Sequence, residues 1–203
     1  MRPGTRIVLV LLLLVTWALP AGSAQAQDAS HHDNVATAIV ESDGGSASDF
    51  AWGVSRQRGG DTVDQLNGAH ALAHCTDCRA TAVAFQIVLA SGSPATVAPR
   101  NVAEAINAEC TRCVAAAEAR QFVRVVDEPV RFTSAGLREL ADVRRDLRAA
   151  VRAQGSPADL HTAVEHAEAR VRAVLADDLV TRADPDEQAG VLESELLQSA
   201  DQG

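Results

Sequence analysis

The sequence predicts an exported α+β protein, predominantly helical, in which an N-terminal β-hairpin precedes a duplicated helical core and a C-terminal antiparallel helical hairpin. Three observations predict it. Residues 1–26 read as a secretory leader, every cysteine falls in one of two copies of a repeated segment, and leucine and valine recur at heptad spacing after residue 133. The expected partition is a signal peptide at 1–26, a polar lead-in at 27–34, the hairpin and duplicated CxxC core at 35–132, the helical hairpin at 133–180 and an acidic mobile tail at 181–203.

In the leader, Arg2 and Arg6 form a positive n-region and Ile7 to Leu19 an apolar h-region. Pro20 breaks it before the small residues Ala21 to Ala26. That pattern is a signal peptide, with Ala24-Gln25-Ala26 fitting the small-x-small cleavage rule. The apolar stretch is short for a spanning helix and no second one follows, so no stable membrane anchor is expected after cleavage. Cleavage removes two arginines and no acids, which takes the charge to 18 − 2 − 27 = −11. So acidic a body argues against nucleic acid and anionic membrane as partners. With no tyrosine and one tryptophan left, Trp52, the core must be built mostly of Ala, Val, Leu and Ile.

The lead-in carries His31 and His32. Val35 to Glu41 is rich in β-branched residues and stops at Ser42-Asp43-Gly44-Gly45, and a second run, Phe50 to Arg56, stops at Arg58-Gly59-Gly60-Asp61. Two such runs about an Asp-Gly turn predict a hairpin. Phe50, Trp52 and Val54 alternate, which puts one face on the core and turns Asp49, Gly53 and Ser55 away from it.

The core is a duplication. At an offset of 35, Cys75-Thr76-Asp77-Cys78 falls on Cys110-Thr111-Arg112-Cys113, and Ala80, Ala82, Ala84, Gln86 and Val88 fall on Ala115, Ala117, Ala119, Gln121 and Val123. One structural unit is therefore used twice. Asn67 and Asn101 are placed to cap short helices leading into each cysteine motif. Alanine and glutamine favour helix for the runs that follow the motifs, although their alternation also suits buried strands.

Thr133 or Ser134 can cap a helix whose Leu137, Leu140, Leu147 and Val151 form one stripe, ending at Gly155. Ser156-Pro157-Ala158-Asp159 then starts a second helix with a capping residue, a first-position proline and an acid at the third position. Its stripe is Leu160, Val164, Ala167, Val171 and Val174, and so short a link predicts that the two fold back on each other.

This order of segments resembles an uncharacterised family of exported proteins from high-GC Gram-positive bacteria. The residues carrying the likeness are the Asp-Gly turn, the CTxC motif before Ala82-Val83-Ala84-Phe85, the spacer Pro99-Arg100-Asn101-Val102-Ala103, the second CTxC and the arginine-rich helices. Similar segments occur in chains labelled peptide zinc metalloproteases. The resemblance brings no catalytic residues with it, and the sequence has no HExxH.

An even count of cysteines in an exported chain predicts structural disulfides among Cys75, Cys78, Cys110 and Cys113. Loop entropy assigns about 2 kcal/mol to a bridge within one motif and about 4 kcal/mol to one between motifs, while proximity and order of synthesis favour local pairs. We expect Cys75–Cys78 and Cys110–Cys113, with the connectivity open at this level. The alternatives are a zinc site held by all four cysteines, whose thiolates satisfy the ion without further ligands, and a thioredoxin-like redox pair, opposed by the charge of Asp77. His74 and His70 precede Cys75 by one and five residues, but Glu109 and Ala105 stand there in the second copy. His161, Glu165 and His166 match no zincin spacing. No phosphate loop or catalytic triad is present, so the chain is expected to be non-enzymatic, without a cofactor, and a structural or protein-interaction module outside the cytoplasm.

Overall fold

In the computed structural model, which describes residues 33–182 apart from 59 and 61, the alternation of the alanine runs prevails over their helix propensity. The chain from Asn34 to Val126 is a succession of strands: β1 (Asn34–Val40), β2 (Ser46–Gln57), β3 (Thr62–Val63), β4 (Leu66–Ala73), β5 (Arg79–Ser91), β6 (Thr96–Val97), β7 (Arg100–Asn107) and β8 (Val114–Val126). They form three parallel sheets, β1-β4-β7, β2-β5-β8 and β3-β6. Each strand pairs with its counterpart one repeat away: Asn34 lies beside Asn67, Asn67 beside Asn101, and Arg79 beside Val114. The chain therefore winds through three stacked coils, a short β-solenoid.

This overturns the predominantly helical reading. The runs after the cysteine motifs are strands, and the Asn67 and Asn101 segments are strands β4 and β7 rather than capped helices. The N-terminal hairpin is also corrected, because β1 and β2 do not pair with each other. Each pairs in parallel with the next coil, and Ser42 to Gly45 turns a corner between sheets. Intrinsic propensities differ by under about 0.7 kcal/mol per ordinary residue. A strand buried on both faces recovers more through its two ladders and its packing, and parallel strands read as continuous apolar runs for that reason. β5 is such a strand, buried from Ala80 to Ala90.

The two faces of β5 see different interiors. Ala80, Ala82 and Ala84 point toward sheet β1-β4-β7 and meet Ala36, Ala38, Ala69, Ala71 and Ala73. Val83, Phe85, Ile87 and Leu89 point the other way. There they meet α1 (Ser134–Ala153) and α2 (Pro157–Asp177), flanked by an antiparallel pair of β9 (Val130–Phe132) and β10 (Leu179–Thr181). Thr133 caps α1, accepting from the Gly136 N–H, and Ser156 closes a full capping box with Asp159 at the start of α2. The buried stripes are Leu140, Val143, Leu147 and Val151 on α1, and Leu160, Val164, Ala167, Val171 and Val174 on α2. Phe50 and Trp52 do face this core, whereas Val54, placed on the same face, is 38% exposed; Gly53 and Ser55 are not turned away, since a Cβ on Gly53 would meet Asn34 at 3.1 Å and Ser55 is buried with its hydroxyl on Gln65. The leader, His31, His32 and tail residues 183–203 lie outside the described residues. Among the described residues, no helix is long and apolar enough to cross a membrane.

Candidate functional site

The two CTxC motifs occupy the same corner of successive coils, between β4 and β5 and between β7 and β8. Their chain positions are held by backbone before any sulfur is considered. Thr76 and Thr111 form a parallel bridge. The Asp77 N–H donates to Thr111 O at 2.9 Å, Thr111 N–H to Cys75 O at 3.3 Å and Val114 N–H to Cys78 O at 2.9 Å. In the first coil, which has no cysteine, Asp43 substitutes: its carboxylate accepts the Thr76 N–H at 2.7 Å, while Gly44 N–H donates to Thr76 O at 2.8 Å.

Each motif closes on itself. Cys75 bridges Cys78 across a Cα separation of 6.0 Å, and Cys110 bridges Cys113 across 5.9 Å, both within the disulfide range. Because the motifs stack, the two bridges touch: Cys78 Sγ lies 3.4 Å from Cys113 Sγ. Cys75 and Cys78 are buried, whereas Cys110 and Cys113 are half-buried at the end of the stack. Cys78, Cys110 and Cys113 place their sulfurs within 4.8 Å of one another, the only such grouping among the described residues.

Charge at the corner is neutralised in place. Asp77 and Arg112, the third residues of the two motifs, both adopt left-handed backbone, with φ of 55° and 57°. This aims their side chains outward, where the Arg112 guanidinium binds both carboxylate oxygens of Asp77. That hydrogen bond holds the Asp77 carboxyl below its ordinary range and raises Arg112. The unfavourable effect of Asp77 on a neighbouring thiolate, anticipated from the sequence, is thereby offset.

The histidines stay apart from the sulfurs. His70 pairs with Glu104 at 3.3 Å and His74 with Glu109 at 3.2 Å, each across neighbouring coils. His161 on α2 contacts Glu118 of β8 at 2.9 Å and Glu165 at 3.3 Å, and the hydrogen bond it donates to Glu118 raises its pKa.

Two features of the fold were not read from the sequence. The first is an asparagine ladder through the alanine interior. Asn34 Nδ2 donates to Asn67 Oδ1, and Asn67 Nδ2 to Asn101 Oδ1, each at 2.7 Å. The same amides reach across to the Phe85, Arg120 and Ala119 carbonyls of the opposite sheet. The signal was available, since Asn-x-Ala-x-Ala occurs at 34–38, 67–71 and 101–105.

The second is the asymmetry of the two ends. At the first coil, Asp49 stands in register with Ala82 and Ala117 of the next coils but is exposed, and its carboxylate accepts the outward N–H of Thr37 at 2.7 Å. At the third coil nothing equivalent occurs among the described residues, and β7 is exposed along its whole length. Arg100 and Ala108 spend their N–H groups on Gln65 and Ala73 of the second coil. Parallel pairing alternates sides, so the N–H groups of Asn101, Ala103, Ala105 and Asn107 face away from the stack.

The chain matches no protein-family model, no curated protein and no solved structure.

Proposed function

We propose that this is an exported, disulfide-stapled β-solenoid that serves as a structural or protein-interaction module, its partner adding an extended strand to the free edge of β7. The observation that carries the reading is the contrast between the coil ends. Capping an edge N–H with a carboxylate discourages strand addition, and Asp49 caps Thr37 of β1 in this way, whereas among the described residues no side chain accepts an outward N–H of β7. Along β7, Asn101, Ala103 and Ala105 turn their N–H and C=O groups outward and the two alanines add only small side chains, which is what strand-addition recognition uses. An oxidising compartment suits the two CxxC bridges, and the acidic body disfavours nucleic acid. The family resemblance drawn from the CTxC order agrees with export and assigns no catalytic residue.

The test exploits the alternation of β7. Ala103→Pro removes an outward N–H without removing a bond to β4, a substitution tolerated on edge strands. A protein captured from culture supernatant by the wild type and lost with Ala103→Pro, at unchanged melting temperature, supports strand addition. Equal capture by both excludes it.

A second reading is favoured by one observation, the clustering of Cys78, Cys110 and Cys113. In the reduced state these sulfurs, with Cys75, are the donor set a soft ion such as zinc selects. Alkylation of the purified mature protein without prior reduction separates the two. An unchanged mass supports the staples, and four modified thiols with co-purified zinc support the metal site.

A further inference from the structure

The corner stacks one disulfide directly on another, and the backbone holds that stack independently of either bridge. We propose that the two disulfides are an exchange-coupled pair. A dithiol reductant opens the outer bridge, Cys110–Cys113, and exchange passes inward to Cys75–Cys78, leaving a single bridge between coils, Cys78–Cys113. The proposal rests on the disulfide-bonded state argued above.

Access selects the entry point. Cys75 and Cys78 are buried at 8% and 2% exposure, while the outer pair is half-buried. Within that pair, Cys113 Sγ is already hemmed by Cys75 O at 2.7 Å and Cys78 Sγ at 3.4 Å. The reductant thiolate therefore attacks Cys110 Sγ. The Cys110–Cys113 bond breaks and its electron pair leaves on Cys113 Sγ, which is now a thiolate in contact with the inner disulfide.

Cys113 Sγ then attacks Cys78 Sγ. A Cys78–Cys113 bond forms, the Cys75–Cys78 bond breaks, and the electron pair leaves on Cys75 Sγ, which takes up a proton. The resulting thiol has an acceptor waiting, since Cys75 Sγ sits 3.3 Å from Val40 O. The second thiol of the reductant resolves the mixed disulfide and releases Cys110 as a thiol. The net change is balanced: one dithiol is oxidised to its disulfide, and two protein disulfides become one disulfide and two thiols.

Geometry and chain statistics both accept the product. Cys78 and Cys113 immediately precede Arg79 and Val114, which are register partners on adjacent strands. Strand spacing places such neighbours about 4.8 Å apart, inside the range a disulfide spans. A bridge between residues 35 apart in sequence restrains the unfolded chain more than one between residues three apart, so the exchange step, Cys75–Cys78 to Cys78–Cys113, replaces a weaker constraint with a stronger one. The Thr76–Thr111 bridge and the Val114–Cys78 hydrogen bond need neither disulfide, so the coils stay in register throughout.

The experiment starts from mature protein that alkylation has shown to lack free thiols. Less than one equivalent of dithiothreitol is added under native conditions, exchange is quenched with acid, and the bridges are mapped by mass spectrometry of alkylated peptides. The expected species joins the Cys78 and Cys113 peptides and carries alkyl groups on Cys75 and Cys110. In the Cys110→Ser/Cys113→Ser variant, reduction of Cys75–Cys78 should slow at least tenfold. Alkylation of Cys110 and Cys113 with Cys75–Cys78 intact and no joined species would overturn the relay, as would equal reduction rates in variant and wild type. Four free thiols before any reductant would remove the staples and the relay together, whereas intact staples without the exchange product remove the relay alone.

Discussion

The sheet β2-β5-β8 separates two interiors built on opposite principles. Toward the helices, Trp52 stacks on Phe85 with ring centroids 5.4 Å apart and Phe85 meets Phe122 at 5.4 Å, above leucines and valines from α1 and α2. Toward sheet β1-β4-β7 the residues are almost all alanine, crossed by the asparagine ladder. Large side chains stabilise by the area they remove from water. Alanines contribute less area but let the layers approach: Cα atoms of β1 and β5 come within 8 Å, inside the roughly 10 Å usual for facing sheets. One interior should therefore be sensitive to lost volume and the other to added volume.

The largest effect expected is at the centre of the aromatic stack. Phe85→Ala, at a fully buried position, should cost about 3–5 kcal/mol. At about 2–4 °C per kcal/mol for a domain of this size, thermal denaturation would read it easily. A loss below about 1 kcal/mol would mean that the helices do not seal this face. The converse change belongs to the alanine side. Ala82→Leu, fully enclosed in the second coil, should cost about 1–3 kcal/mol by overpacking. Ala117→Leu sits at the same inward position in the third coil, where the stack is open, and should cost distinctly less. Equal melting points for the two leucine variants would show that the third coil is as closed as the second.

The ladder sharpens the contrast further. Asn67 is fully buried, accepts from Asn34 and donates to Asn101, Ala84 O and Arg120 O. Asn67→Ala strands those partners and should cost about 1–3 kcal/mol, checked by denaturant midpoint. On the helical side the polar contribution is peripheral: Ser156→Ala removes the α2 cap and should cost about 1 kcal/mol.

The smallest effects are in pH dependence, and they have opposite signs. The Ser156 hydroxyl, then its backbone N–H, lower the Asp159 pKa from 3.8. Its contribution is present above that ordinary value and is lost as pH falls through the lowered one. His161 is raised from 6.5 by Glu118, so its contribution is complete below 6.5 and is lost as pH rises through the raised value. Melting curves of His161→Gln and wild type should thus converge at alkaline pH and separate at mildly acidic pH. A separation that does not change with pH would show that the Glu118 contact is not ionic.

The helical side was the more legible of the two. Thr133, Ser156 and the stripes through Leu140 and Val164 act within a few residues of one another, and local spacing exposes such relations. Even there Leu137, assigned to the stripe, is 54% exposed, because α1 needs only a narrow contact with the sheet. On the alanine side the period was visible and its meaning was not. The offset of 35 that aligns Ala80 with Ala115 is the register by which β5 pairs with β8, yet the first coil escaped notice because Asp43 and Asp49 stand where the later coils carry cysteine-motif and alanine residues.

By itself the sequence determined the repeat, the helix limits at Thr133 and Ser156, and the confinement of all four cysteines to two short motifs. Those relations are carried by neighbouring residues or by plain identity at a fixed spacing. Only the tertiary structure decided between helix and strand for the alanine runs. Alanine is small enough for either, and the ladders that settle the choice pair residues 33 to 35 positions apart. It also decided that the motifs stack with sulfurs in contact and that Asp49 caps Thr37 at one coil end while no described side chain caps β7 at the other, since both follow from which coil lies beside which.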